Sequence, residues 1–277
     1  MSEAQTSGVL PAISATRLIC DYPIGNISIA DHHASLLGGA AQAHPDAWLD
    51  AEEITAFLAS NSAELVDENG IGLAWKPSDG GEQMAFRSFV IQHPWDLIRA
   101  NEGYVAALKE NKIEGDIHPA AVIEGVIHLG EGSRILPGVY IEGNVVIARD
   151  CKIGPNCYLR GNTSIGDHCH IGQSVEIKNS LILSKSNVGH LSYVGDSVIG
   201  ANANLGAGTI TSNLRHDGKN HRSAVNGILV DTGRRKFGAI VGDGVHTGIN
   251  TTIYPGRKLC EDVSTRPGEI VQKDIHR

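Results

Sequence analysis

The chain has 277 residues, 31 acidic and 23 basic side chains, and a formal net charge of −8. That length fits one or two domains, and the acidic balance, with no basic run longer than Arg234-Arg235-Lys236, excludes nucleic acid as an expected partner. No apolar stretch is long enough to span a bilayer. The N-terminus also lacks a basic start followed by an apolar core, so no signal peptide is expected and the chain is placed in the cytoplasm.

Residues 1–93 show no repeat and read as a small α+β domain. Short strand-like runs occur at Arg17-Leu-Ile-Cys20 and Gly70-Ile-Gly-Leu-Ala-Trp75. A helix is predicted from Asp50, with Glu53 three residues on completing a capping box. A second helix is predicted after His93, with Pro94 at its first position. Its apolar stripe, Leu97, Ile98, Tyr104, Val105 and Leu108, has helical spacing. That helix is expected to end near Gly115, so 94–115 reads as a linker helix between the domains.

From residue 116 to 277 the pattern changes. Aliphatic residues recur six apart at Ile117, Ile123, Leu129, Ile135, Ile141, Ile147, Ile153, Leu159, Ile165, Ile171, Ile177 and Leu183. A column of smaller residues lies two positions before each, including Val139, Val145, Cys151, Cys157, Cys169, Val175 and Leu181. Residues two apart on a strand share a face, so each strand points one large and one smaller side chain inward. Hexapeptide periodicity of this kind marks a parallel β-helix, in which stacked coils bury a core that no coil could bury alone. Three hexapeptides make one coil, so positions eighteen apart are expected to stack. Cys151, Cys157 and Cys169 fall in the inward column and read as core fillers. A disulfide between stacked Cys151 and Cys169 is not expected in a reducing cytoplasm. Cys20 and Cys260 have no partner at metal-ligand spacing, and His168-Cys-His170 lacks a third ligand, so no metal is expected.

The column resumes in a shifted register at Tyr193, Ile199 and Leu205. A non-repeating stretch then runs from Asn213 to about Phe237, before the period returns at Val241, Thr247, Ile253, Leu259, Thr265 and Val271. A long departure from a regular solenoid points to function. Ile228, Leu229 and Val230 within it argue that the stretch is ordered.

Two motifs precede this stretch, Val188-Gly-His-Leu-Ser-Tyr-Val-Gly-Asp196, which interrupts the register, and Asn204-Leu-Gly-Ala-Gly-Thr-Ile-Thr-Ser-Asn213, which follows it. They resemble the acetyltransferase domain of the bifunctional bacterial enzyme that makes UDP-N-acetylglucosamine. With Asn213-Leu-Arg-His-Asp-Gly-Lys219, Asp231-Thr-Gly-Arg-Arg-Lys236 and Thr247-Gly-Ile-Asn250 added, the chain is similar to the archaeal-type sugar-1-phosphate nucleotidylyltransferases that carry the same domain. The resemblance implies a left-handed parallel β-helix and a homotrimer with sites between neighbouring prisms. It implies N-acetyl transfer from acetyl-CoA to an amino-sugar 1-phosphate, of glucosamine or galactosamine.

His190 matches the family's general base. The amine must lose a proton as it attacks a thioester, and an imidazole titrates in the right range to accept it. Glu176 matches a glutamate near that base, and Asn213 an asparagine of the same site. Arg160 and Lys178, eighteen apart, match sugar-phosphate ligands. Two stacked cations without partners would favour an anion between them. Tyr193 and Asn204 match sugar contacts. Ala207 matches a position whose N–H faces the acetyl carbonyl, and Lys219 and Arg222 match cations of the protruding loop. Two other readings are an acetyltransferase acting on a nucleotide-linked amino sugar, and a non-catalytic β-helix subunit that binds sugar phosphates.

Full-length relatives begin with a nucleotidylyltransferase domain bearing a Gly-x-Gly-Thr-Arg phosphate loop. Leu37-Gly-Gly-Ala-Ala41 has glycines but no basic residue in place, so residues 1–93 read as a shortened or replaced domain. Incubated with UTP, magnesium and a sugar 1-phosphate, the chain is expected to release no pyrophosphate above background. Enzyme-dependent release would overturn that reading.

Overall fold

The computed structural model describes residues 6–276. Residues from Lys112 onward wind into a three-sided parallel β-solenoid. The first face has six strands, from Asp116–Ile117 to Asn204–Leu205. The second has eight, from Val122–Glu124 to Ile270–Val271, and the third has eight, from Lys112–Ile113 to Arg257–Leu259. Parallel pairs such as Ile117 with Ile135, Ile123 with Ile141 and Leu129 with Ile147 confirm an eighteen-residue coil. The six-spaced aliphatic residues from Leu129 to Ile177 are buried in a single core with Cys151, Cys157 and Cys169. The thiols bond to main-chain carbonyls, Cys151 to Gly166 at 3.0 Å and Cys169 to Leu183 at 3.2 Å. Burial pushes the Cys157 thiol up to about 12.

Two corners change the register. The Cα partner of Ile165 is Ile182, seventeen residues on, and that of Ile182 is Ile199. The turns at Asn179-Ser180 and Asp196-Ser197 are each one residue shorter than the turn through Gly161, Asn162 and Thr163. Ile182 therefore occupies the interior where Leu183 was expected, and Val194 occupies it where Tyr193 was expected. In these coils serines fill the inward small-residue column. Ser180 Oγ donates to Lys178 O at 2.8 Å and accepts from Ser197 N at 3.1 Å. Ser197 Oγ donates to Gly195 O at 2.8 Å and accepts from Ala239 N at 2.9 Å. Each hydroxyl satisfies main-chain groups that the tightened turn would leave unpaired.

After Thr211 the chain leaves the solenoid at the next corner in this column and returns at Ala239. The excursion holds an antiparallel hairpin, Arg222–Val225 with Ile228–Asp231. Its Asn226-Gly227 turn has positive φ at both residues, 49° and 81°, as a two-residue hairpin loop requires. Ile228 and Leu229 are exposed and do not order the excursion, whereas Val230, half-buried, packs against the core under α3 as expected. Buried His221, Ser223, Thr232 and Phe237 at the base of the excursion order it as well.

The N-terminal residues form helix α1 (Ile29–Leu37), helix α2 (Ala51–Ala59) and small sheets, with a core of Leu49, Ile54, Phe57, Leu65 and Leu73. Gly72–Trp75 is a strand, whereas Ile19–Asp21 in the expected strand-like run is a 3-10 turn. Asp50 caps α2 by accepting from the N–H groups of Glu52 and Glu53. The capping box is not closed: Glu53 turns to the loop and accepts from Phe86, Arg87 and Ser88 N–H groups. Helix α3 is Pro94–Ala106, shorter than the expected 94–115, because Lys112–Ile113 already joins the third face.

Helix α3 lies along the third face and its corner with the second. Trp95, Leu97 and Ile98 share a core with Leu181, Leu183, Val198 and Ile240. Asn101, 1% exposed, accepts from Gly25 N and Ser164 Oγ and donates to Asn162 O. Asn144 at the same corner donates to the carbonyls of Val105 and Leu108.

On α1, His32 Nε2 and His33 Nε2 meet the carbonyls of Leu49 and Ala47 at 2.9 and 2.7 Å. Burial lowers both imidazoles below the ordinary value, against the opposing pull of those carbonyls. The unfolded chain therefore takes up these protons first, and stability falls as the pH drops through about 6.5. The Tm is expected to decline between about pH 7.5 and about 5.5, and to decline less in His32→Gln/His33→Gln. The same slope in parent and variant would contradict this.

Candidate active site

His190 ends the strand Asn187–His190 on the first face. Leu191 turns the corner at φ 51°, a conformation that costs a non-glycine residue energy. The turn is held from two sides: the His190 carbonyl accepts from Ser192 Oγ at 2.8 Å and from Gly208 N, one coil on, at 3.0 Å. The Ala207-Gly208 turn therefore sits directly over the His190 corner. Gly208 has φ 74°, and a Cβ there would lie 2.3 Å from Asn250 Oδ1, so only glycine fits. Asn250 N donates to the Ala207 carbonyl at 2.7 Å. Among the described residues the Ala207 N–H has no acceptor. The His190 imidazole is exposed and makes no hydrogen bond among those residues. His170 shares its surroundings: burial first, then Lys152 and His190, lowers the His170 imidazole. Asn204 is exposed on the same face, paired in register with Asn187.

The second face carries Arg160, Glu176, Lys178 and Tyr193. Arg160 and Lys178 are Cα partners on adjacent coils, but neither cation is unpaired. Arg160 Nε and Nη2 both reach Glu176 Oε1 at 2.8 Å. Lys178 Nζ lies 3.0 and 2.8 Å from the two Asp196 oxygens. The expectation of a vacant cation pair is thereby corrected. Glu176 bonds to Arg160 and not to His190. Burial, then the charge of Asp196, raises the Tyr193 phenol above its usual value.

Asn213 lies at the corner between the second and third faces, at the root of the excursion. Its Nδ2 donates to Tyr193 Oη at 2.8 Å and to Asp196 Oδ2 at 2.6 Å. Lys219 and Arg222 are exposed in the excursion and bond to none of the other named residues. The geometry thus joins Lys178, Tyr193 and Asn213, pairs Arg160 with Glu176, and sets His190, Asn204 and Ala207 on the neighbouring face and corner.

Sequence reasoning missed Asp196, Asn179, Glu102 and Arg234. Asn179 Nδ2 donates to Asp196 Oδ1 at 3.0 Å and also to Glu102 Oε1 of α3. Arg234 closes the chain on Glu102 through two contacts of 3.0 and 2.5 Å. Asp196 stood inside a quoted motif. The inward run Ser180, Ser186, Ser192, Ser197 would have revealed the shortened corners. Among the described residues no cluster of three His, Cys, Asp or Glu side chains is placed to hold a metal ion, and no helix is long and apolar enough to cross a membrane.

The family described as the GMPPB C-terminal domain matches residues 141–266. The bifunctional sugar-1-phosphate nucleotidylyltransferase/acetyltransferase of Sulfurisphaera tokodaii is 42% identical over 185 residues, 67% of this chain and 46% of that protein. Bifunctional protein GlmU of Methanococcus aeolicus is 43% identical, and that of Methanococcus maripaludis strain C7 is 51% identical. Each match spans 187 residues, 68% of this chain and 45% of the relative. The chain spans about half the length of these relatives. Over its C-terminal two thirds, which form the β-solenoid, the chain is a homologue of the GlmU-type bifunctional nucleotidylyltransferase/acetyltransferases.

Proposed function

We propose that the chain is an N-acetyltransferase that moves the acetyl group of acetyl-CoA to the nitrogen of an amino-sugar 1-phosphate. The observation that carries this is the stacked pair of turns: an exposed imidazole at His190 with a free main-chain N–H at Ala207 one coil above. The Sulfurisphaera tokodaii relative, whose name includes acetyltransferase, matches over 67% of this chain, its C-terminal part. In the proposed step the sugar amine attacks the thioester carbonyl while His190 accepts the proton that the nitrogen sheds. The Ala207 N–H meets the oxygen as it gains charge. The tetrahedral centre then collapses, the C–S bond breaks, and the departing coenzyme A thiolate takes the proton from His190. In this reading Asn204, Tyr193 and Asn213 hold sugar hydroxyls, and Arg160 and Lys178 hold phosphate. Glu176 acts through Arg160 in this arrangement. Lys219 and Arg222 add positive charge from the excursion.

A homotrimer is part of the proposal. Helix α3 lies on the middle strands of the third face, whereas the second face carries a mostly aromatic and aliphatic register column, Val122, Tyr140, Tyr158, Glu176, Tyr193, Ile210, Thr252 and Ile270, in which Val122, Ile210 and Ile270 are exposed. Such a column favours burial against another copy. The pairing of Arg160 and Lys178 with carboxylates favours a second reading, in which the acceptor is a nucleotide-linked amino sugar with less charge beside the ring. A panel of amino-sugar 1-phosphates and nucleotide-linked amino sugars, read by thiol release from acetyl-CoA, separates the two.

His190→Ala is expected to lose acetyl transfer by about a hundred- to ten-thousand-fold while keeping the parent's oligomer and Tm. The loss should shrink at alkaline pH, where more of the amine is already deprotonated. Retention of more than about a tenth of the parent rate at neutral pH would remove His190 as the base.

Arg160→Ala is expected to raise the KM for the sugar acceptor and leave that for acetyl-CoA nearly unchanged, as removal of a ground-state contact does. An unaltered sugar KM would take Arg160 out of the site.

A further inference from the structure

We infer that Asp196 is the positioning residue of this site. Its buried carboxylate holds the Lys178 ammonium and the Asn213 amide in one orientation each, and Glu102 and Arg234 carry that hold into α3 and the excursion. The inference rests on the proposed reaction for its kinetic consequence and on geometry alone for the network.

Asp196 is 2% exposed, and its oxygens accept from Lys178, Asn179 and Asn213. The corner geometry does not require an acid. Asp196 has φ 50°, and Asn179 occupies the equivalent corner one coil earlier at φ 48°. An uncompensated buried carboxylate is costly, so its value lies in what it orders.

An ionised carboxylate only accepts hydrogen bonds. The Asn213 edge facing it must therefore be the amide nitrogen. That nitrogen also donates to Tyr193 Oη, which uses both of its hydrogens. Two polarities follow. Asn213 Oδ1 is left as an acceptor for an N–H or O–H of the sugar, and the Tyr193 hydroxyl hydrogen is left as a donor. Lys178 likewise keeps one N–H beyond its two contacts with Asp196.

The hold extends further. Asn179 binds both Asp196 and Glu102, and Glu102 pairs with Arg234. Helix α3, a corner of the solenoid and the excursion thus share one chain of charge-assisted bonds. Such chains fix side-chain orientation more strongly than isolated pairs do.

The test uses the full chain carrying Asp196→Asn, with Glu102→Gln as a second variant. In Asp196→Asn, kcat/KM for the amino-sugar acceptor is expected to fall about ten- to a hundredfold, with the KM for acetyl-CoA unchanged. Loss of the negative charge should also lower the titration point of Tyr193, read by tyrosinate absorbance against Tyr193→Phe. Glu102→Gln is expected to raise the acceptor KM by a smaller factor. A merely structural role would lower the Tm without this split. Unchanged acceptor kinetics in a folded Asp196→Asn would overturn the inference. If that variant does not assemble as the parent does, the decision passes to Glu102→Gln, where an unchanged acceptor KM overturns it. If the parent acetylates no acceptor in the panel, the proposed reaction falls. The Tyr193 titration then decides the network: a lower value in Asp196→Asn supports it, and the parent's value overturns it.

Discussion

Main-chain pairing from coil to coil governs this molecule. Each strand both donates to and accepts from the coil on either side, so the strands cannot lengthen, shorten or tilt without breaking bonds along a whole face. Variation is confined to the corners. Here it is concentrated in one column of corners, between the second and third faces. Two successive turns there lose a residue, and at the third the chain departs for the excursion. Asn179, Asp196 and Asn213, which bind one another across coils, all occupy that column.

The excursion can be long because its root is narrow. Ile210 pairs with Tyr193 below and with Thr252 above, while Ala239 to Val241 rejoin the third face on Val198 and Ile199. The ladder closes across the gap as though nothing intervened. A rigid frame around a variable segment is the usual way for a scaffold to carry chemistry without sacrificing its own stability.

The sequence was legible where only one face of a strand is buried. From Ile117 to Ile141 inward aliphatics alternate with more exposed neighbours, and every expected stacking pair from Ile117 to Ile177 is present. The signal fails at Leu181-Ile182-Leu183 because the turn before that strand is one residue shorter and the outside of the strand is covered as well. With both faces buried, all three residues are apolar and the period of two disappears. Tyr193 was misplaced for a related reason: a half-buried aromatic beside Val194 looks equally suited to the interior. The end of α3 was overextended because Ala106-Ala107-Leu108 are good helix formers, and the competing claim came from strand pairing at Lys112, a long-range effect. His190 stood out because its motif lies at a register break. Asp196 did not, because its partners Lys178, Asn179 and Asn213 lie on the adjacent coils, and Asn179 in turn binds Glu102, which pairs with Arg234, links that no local pattern encodes.

A solenoid built by repetition also has two ends at which the repetition could continue. The first coil leaves one rim of main-chain groups open at Lys112–Ile113, Asp116–Ile117 and Val122–Glu124, and the other end of the second face is Ile270–Val271. Open strand edges are templates for further chains. Charges stand at both rims: Lys112, Asp116 and Glu124 at one, Arg266 and Lys273 at the other, all exposed. Joining two rims end to end would have to strip water from these groups before any new pair could form. Growth of the repeat from one particle to the next thus carries a desolvation cost at each rim that the coils within the solenoid do not have.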